Sequence, residues 1–229
     1  MNKSKRFEEL CKGYDRNNLY SVEDGIDLIK KSTAKFKETV DIAINLGVDP
    51  RHADQLVRGT VSLPNGTGKN VRVLVVTQGD NASLAESAGA DFVGSDEYID
   101  KIKGGWLDVD TIIVTPDMMG KVGQLGKLLG PRGLMPSPKS GTVTTDVQKA
   151  VKEIKAGRIE YKVDKKGIVH SILGKVDFES SKLLENAQVF IRTILRARPA
   201  SVKGTYVKKI TISSTMGPGI KIDTNSVTL

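Results

Sequence analysis

The chain has almost none of the residues from which covalent or metal-held frameworks are made. Cys11 is its only cysteine, and His52 and His170 are its only histidines. One thiol excludes an intramolecular disulfide, and two histidines so far apart make no metal-ligand motif, so a reducing compartment fits the composition. Aromatic residues are sparse, 5% of the 229 positions, with a single tryptophan. Long hydrophobic runs are missing too. The apolar stretches at 71–77 and 111–115 fall far short of the roughly 20 residues a membrane span needs, and the polar, mixed-charge residues at the start do not form the apolar centre of a signal peptide. No membrane association is expected.

What is present is the composition of a folded protein with a basic excess. Hydrophobic residues make up 38% of the chain, enough for the core of one large domain or two ordinary ones. The net charge is +8 and the pI about 9.4, which favours a polyanionic partner. Its distribution says more. Residues 1–67 hold 11 Lys and Arg against 10 Asp and Glu, residues 68–157 hold 11 against 11, and residues 158–229 hold 13 against 6, so the last segment carries +7 of the +8. Such concentration points to nucleic acid, and the neutral middle is expected to do another job.

Ser21-Val22-Glu23-Asp24 has the form of a capping box opening a helix. Val40, Ile42, Ile44 and Leu46 then alternate with more polar neighbours, the period of a strand with one face buried, and a second strand is expected around 56–63. Pro64 to Gly68 reads as a turn or linker. From Val71 the pattern changes to a continuous apolar strand, a short helix at 82–88, another apolar strand at 111–115 and a helix at 145–156, the signature of a parallel α/β layer. A β-hairpin is expected at 159–173, turning on Asp164-Lys165-Lys166-Gly167. An amphipathic helix follows at 180–197, and an alternating strand at 206–213. The predicted organisation is α/β (α+β) in two domains: a discontinuous one from 1–67 and 158–229, and an inserted Rossmann-like one over 68–157.

Few motifs carry catalytic chemistry. The glycine-rich run from Gly120 to Pro136 invites a phosphate-loop reading, but no Gly-x-x-x-x-Gly-Lys-Ser/Thr spacing exists, and only Gly79 follows the strand at 71–76. No Ser-His-Asp or Cys-His arrangement can be argued from local sequence. The run Lys208 to Lys221 is more informative. There a strand delivers Ser213, Ser214 and Thr215 to a turn with Met216, Gly217 and Gly219, flanked by lysines. Short hydroxylated side chains and accessible backbone suit the wide, shallow minor groove of RNA, where 2′-hydroxyls are displayed. Lys35-Phe36-Lys37 pairs an aromatic ring with two cations, a candidate stacking or backbone contact. An α/β enzyme or anion-binding module using the glycine-rich segment, and an RNA-binding regulator, remain as alternatives at this point.

Phe36-Lys37-Glu38-Thr39-Val40-Asp41, Val48-Asp49-Pro50-Arg51, Arg58-Gly59-Thr60-Val61, Leu129-Gly130-Pro131-Arg132-Gly133-Leu134-Met135-Pro136 and Ser214-Thr215-Met216-Gly217-Pro218-Gly219, in this order, resemble the bacterial type of the large-subunit ribosomal protein L-one family. The resemblance covers essentially the whole chain. It implies a split RNA-binding domain with a hinged Rossmann-like insert, a site on large-subunit ribosomal RNA in the mobile stalk beside the exit position for deacylated tRNA, and repression of the protein's own messenger RNA. It implies no cofactor, no metal, no enzymatic activity, a cytoplasmic ribosome and a monomer when off it. The RNA-contacting residues implied are Lys35, Phe36, Thr39, Asp41, His170, Ser213, Thr215, Met216 and Gly217, to which the charge and turn patterns add Lys165, Lys166, Lys208 and Gly219. Position 41 is Asp where the family more often has Glu.

Overall fold

The computed structural model describes residues 5–31, 35–79 and 81–224. The chain divides into two compact units, Met1–Lys69 with Ile159–Leu229, and Asn70–Arg158. Both are mixed α/β. No helix among the described residues is long and apolar enough to cross a membrane.

The split unit opens with α1 (Lys5–Lys12) and α2 (Val22–Lys31). The Ser21 hydroxyl accepts the Asp24 N–H at 3.1 Å and donates to its carboxylate at 2.7 Å, so the predicted cap forms. The strands are β1 (Thr39–Leu46), β2 (Arg58–Ser62), β6 (Arg158–Lys162), β7 (Ile168–Lys175), β8 (Val207–Ser214) and β9 (Ile220–Ile222), and α8 (Ser180–Arg196) is the long helix. Four of them form an antiparallel sheet in the order β7-β1-β8-β9, so the central β1 is held by strands that lie more than a hundred residues later in the chain. Val40, Ile42, Ile44 and Leu46 point inward from β1, onto Ile26 and Ile29 of α2 and Leu183, Ala187, Phe190, Ile191 and Ile194 of α8. Gly25 lets α2 lie close against β9, since a Cβ there would stand 2.6 Å from Ile222 Cδ1. Among the described residues no helix packs on the other face, whose strand positions alternate with the buried ones.

The expected hairpin at 159–173 is only half right. Its turn exists: Gly167 has φ +80°, and one Asp164 carboxylate oxygen accepts the N–H groups of Lys166 and Ile168, both at 2.8 Å. The strands on either side then part, joined by one bridge between Val163 and Val169. β6 pairs with β2 in a separate two-stranded sheet, where Tyr161 meets Phe190 of α8 edge-on at 5.9 Å, while β7 leaves to pair with β1. Burial of Tyr161 and Val163 against the core outweighs continued local pairing.

Asn186 of α8 is fully buried and ties the linker down. Its amide nitrogen donates to Gly66 O at 3.0 Å and Leu173 O at 2.7 Å, and its oxygen accepts the Asn65 N–H at 3.1 Å. Every polar atom at that crossing is thereby satisfied inside an apolar core.

In the second unit, β3 (Val73–Val76) is flanked by β4 (Phe92–Gly94) and β5 (Thr111–Val114), all parallel. The side chains of Val73, Val75 and Ile113 pack against α3 (Asn81–Ser87) and α7 (Val147–Lys155). Leu74, Val76, Ile112 and Val114 pack on the other side, against α4 (Asp96–Lys103), α5 (Pro116–Gly123) and α6 (Gly126–Leu129). A strand buried on both faces needs helices on both, which explains its unbroken apolar sequence. The glycine-rich run forms α5, α6 and the turns around them, with Val122, Leu125 and Leu129 in the core, and no phosphate loop.

Candidate nucleic-acid interface

The helix-free face of the four-stranded sheet is where the chemistry gathers. Alternation on β1 turns Thr39, Asp41, Ala43 and Asn45 outward, and the register aligns their neighbours in rows. Asp41 stands between Ile172 of β7 and Ser213 of β8; Ala43 between His170 and Thr211; Asn45 between Ile168 and Lys209. Lys221 of β9 extends the His170 row, opposite Thr211. Lys175 lies opposite Thr39 and donates to its hydroxyl at 2.8 Å. The face therefore presents hydroxyls and an imidazole among three lysines, with Asp41 as its one carboxylate among these residues. Burial raises the pKa of Asp41 above the ordinary carboxylate value, while Lys175 and His170 pull it back.

One end of this face is built by two loops meeting. Thr215 N–H donates to Thr39 O at 3.1 Å, while the Thr215 hydroxyl accepts the Thr39 N–H at 3.1 Å and can donate to Thr39 O at 3.3 Å. The side chain expected to read RNA thus also stitches β8 to the start of β1. A hydroxyl has one donor and two acceptor positions, so an acceptor position remains for a ligand. Towards this end Phe36 is 54% exposed, Met216 56% and Ile172 38%, apolar side chains left in water at the rim of a charged sheet. Lys35 is exposed beside Phe36, and Gly217 N–H closes the turn on Ser214 O at 3.2 Å. At Gly219 a Cβ would press on Thr211 Cγ2 at 3.1 Å, so glycine there leaves the outward Thr211 in place. Beneath the loop, buried Glu38 pairs with Arg6 of α1 at 3.2 Å and fixes the segment that leads into Thr39.

Lys35, Phe36, Thr39, Asp41, Ser213, Thr215, Met216, Gly217 and Gly219 fall at this end, and His170 falls mid-face. Lys165, Lys166 and Lys208 fall at the other end, where Leu46 N–H bonds Gly167 O at 2.8 Å and Lys208 lies along Gly47. His170 is within 3.9 Å of Asp164, which its own turn amides hold below the ordinary carboxylate pKa. The candidates read from the sequence leave out Ile172, Lys175 and Thr211, which share this face, and take Lys209 and Lys221 only as lysines flanking the turn. Lys209 and Thr211 were within reach, since they share the parity of Ser213; Lys208 has the parity of buried Ile210 and Ile212 and is exposed beside a register shift. Ile172 and Lys175 enter only through the β1–β7 register, which no local pattern reveals.

Between 186 and 222 the chain has seven Lys and Arg and no Asp or Glu. Among the described residues none of those seven forms an ion pair.

An open basic sheet over a helical layer, interrupted by a parallel α/β unit, defines a class of two-unit α/β proteins with the chain ends folded together. Within that class the comparisons are specific. A model of the Ribosomal protein L1p/L10e family matches residues 28–218. The chain is also similar to the large ribosomal subunit protein uL1 of Protochlamydia amoebophila (strain UWE25), at 55% identity over 221 residues, covering 96% of this chain and 94% of the relative. The chain belongs to the Ribosomal protein L1p/L10e family, and it is a structural ribosomal protein rather than an enzyme.

Proposed function

We propose that this structural constituent of the large ribosomal subunit binds large-subunit ribosomal RNA through the helix-free sheet face, with the Thr39–Thr215 end as its specific reading surface. The observation that carries the reading is the convergence of Phe36, Met216 and Ile172 with the Thr39, Ser213 and Thr215 hydroxyls at one end of a lysine-bearing face. RNA offers 2′-hydroxyls and base edges in a shallow groove that such short groups can reach, and phosphates for the lysines around them. The resemblance extends the reading to the mobile stalk, to release of deacylated tRNA from the exit position, and to repression of the protein's own messenger RNA through a structural mimic of the ribosomal site.

The split unit, residues 1–67 with 158–229, is the RNA binder in this reading, and residues 68–157 are an inserted Rossmann-like domain that the specific complex does not require. Calorimetric titration with a structured large-subunit rRNA fragment, and separately with mononucleotides, tests it. Salt-dependent binding of the fragment alone is expected, with the leader of the protein's own messenger RNA competing for the same site. Nucleotide binding without RNA binding would overturn it. A chain joining Thr67 to Arg158 through a short glycine linker should fold and keep most of the affinity.

A further inference from the structure

The seven cations of the acid-free stretch 186–222 do not all lie on the sheet face. Lys209 and Lys221 do, but Arg192, Arg196, Arg198 and Lys203 belong to the last turns of α8 and the loop behind it. α8 lies in the helical layer, with Ile191 and Ile194 in the core, so its solvent side is a different surface from the sheet face. Arg192 and Arg196, one turn apart on that side, are both exposed. Arg198 is fixed. Its Nη2 donates to Val202 O at 3.1 Å and Gly204 O at 3.2 Å, and its guanidinium lies 5.9 Å from the Tyr206 ring, whose hydroxyl in turn donates to Ile194 O at 3.2 Å. The loop carrying Lys203 is thus folded back against the helix end by an arginine.

A helix C-terminus attracts cations in its last turn, which accounts for Arg196. It does not account for Arg192, a turn earlier, or for Lys203 beyond the helix. None of the exposed large hydrophobics, Leu19, Phe36, Leu84, Leu128, Ile172 and Met216, lies in residues 186–206, so this surface offers a partner charge and hydrogen bonds and no apolar anchor. Arginines in a preorganised group suit a partner with repeated phosphates, each able to take two parallel N–H bonds.

We propose that Arg192, Arg196, Arg198 and Lys203 form a second RNA-backbone contact, separate from the sheet face and able to hold a second RNA segment while the first stays bound. This rests on the sheet-face reading for the identity of the first RNA and goes beyond it in giving the protein two RNA-facing sides. The test uses the full chain saturated with the large-subunit rRNA fragment, to which a 20-base-pair RNA duplex of unrelated sequence is added and followed by sedimentation. The expected result is a ternary complex in low salt. Arg192→Glu/Arg196→Glu should weaken the duplex step by about tenfold or more and flatten its salt dependence by about two phosphates' worth, leaving the first step unchanged. Arg192→Gln/Arg196→Gln, with less charge disturbance, should fall between. Displacement of the fragment by the duplex, or full duplex affinity in the double charge reversal, overturns the proposal. So does polyglutamate competing as well as the duplex, which would make the partner an acidic protein. If the sheet-face reading fails instead, the first complex does not form, while the duplex step is still measurable on the protein alone.

Discussion

Arg72, Lys103, Lys121, Lys155 and Arg158 in the parallel unit each hold a carboxylate of Asp108 and Asp110, Asp100, Asp96, Asp91 or Glu153, whereas the seven cations between 186 and 222 of the split unit hold none among the described residues. Among the described residues the parallel unit pairs five of its eleven Lys and Arg, and this stretch of the split unit pairs none of its seven. Surface ion pairs of the first kind add little stability, but they cancel the field a polyanion would feel; cations without partners keep that field and must find their counter-charge elsewhere. Where the acidic residues are absent therefore says more about a partner than the net charge does.

The comparison can be broken most forcefully at Asn186. Asn186→Ala leaves Gly66 O, Leu173 O and Asn65 N–H without their buried partner and should destabilise the split unit by about 3 kcal/mol, while the parallel unit keeps its own core. Hydrogen exchange resolved by segment would show it: faster exchange in β1, β7 and β8 with β3 and β5 unchanged. Equal loosening of both units would mean they are one cooperative body.

Next in size is a negative charge placed in each unit. Met216→Asp should lower affinity for the rRNA fragment by about a hundredfold, since it puts a carboxylate where RNA must desolvate it, and Lys149→Asp on the exposed side of α7 should change it about twofold or less. Comparable losses from the two would remove the distinction drawn above. Thr215→Val should weaken RNA binding by about 1 kcal/mol or somewhat more, and should also lower the melting temperature, because its hydroxyl bridges both Thr39 backbone groups. Thr215→Ser should recover both; recovery of stability alone would make the hydroxyl purely structural.

The salt dependence provides a finer cut. Lys209→Ala should reduce the slope of log affinity against log salt by about one unit, and Lys121→Ala, whose charge Asp96 already takes, should leave it unaltered. The smallest effect is expected from Asp41→Asn. The folded-state pKa of Asp41 is raised, so its charged form weakens the fold above that pKa and the penalty disappears as pH falls below the unfolded carboxylate value. Asp41→Asn should therefore melt slightly higher than the parent at neutral pH, with the gap closing on acidification through the carboxylate range. A gap that widens on acidification would reverse the assigned sign.

How much of this was legible in the sequence follows the range of the forces involved. β1 could be read from its own alternation, α8 from its apolar stripe, and β3 from its unbroken apolar run, because each declares which faces it buries. The loop at Thr215 was legible by composition and by resemblance. What could not be read was whatever depends on a partner far along the chain. β6 and β7 flank a good turn and look like a hairpin, yet join different sheets; Lys175 reaches Thr39 from 136 residues away. The second role of Thr215 was hidden for the same reason, since its contact with Thr39 spans 176 residues. β9, three residues long, has no period to display.

The sheet order has a consequence in time. β1 is made before both of its sheet neighbours, β7 and β8, so during synthesis its edges wait for them while the whole parallel unit is translated, and that unit can fold on its own contacts first. At roughly 5–20 residues per second, that delay lasts many seconds, during which an apolar strand must be kept from pairing with other chains. The Thr39–Thr215 end comes into being only when β8 is delivered, so the two strands that frame it are brought together across the whole translation time of the parallel unit.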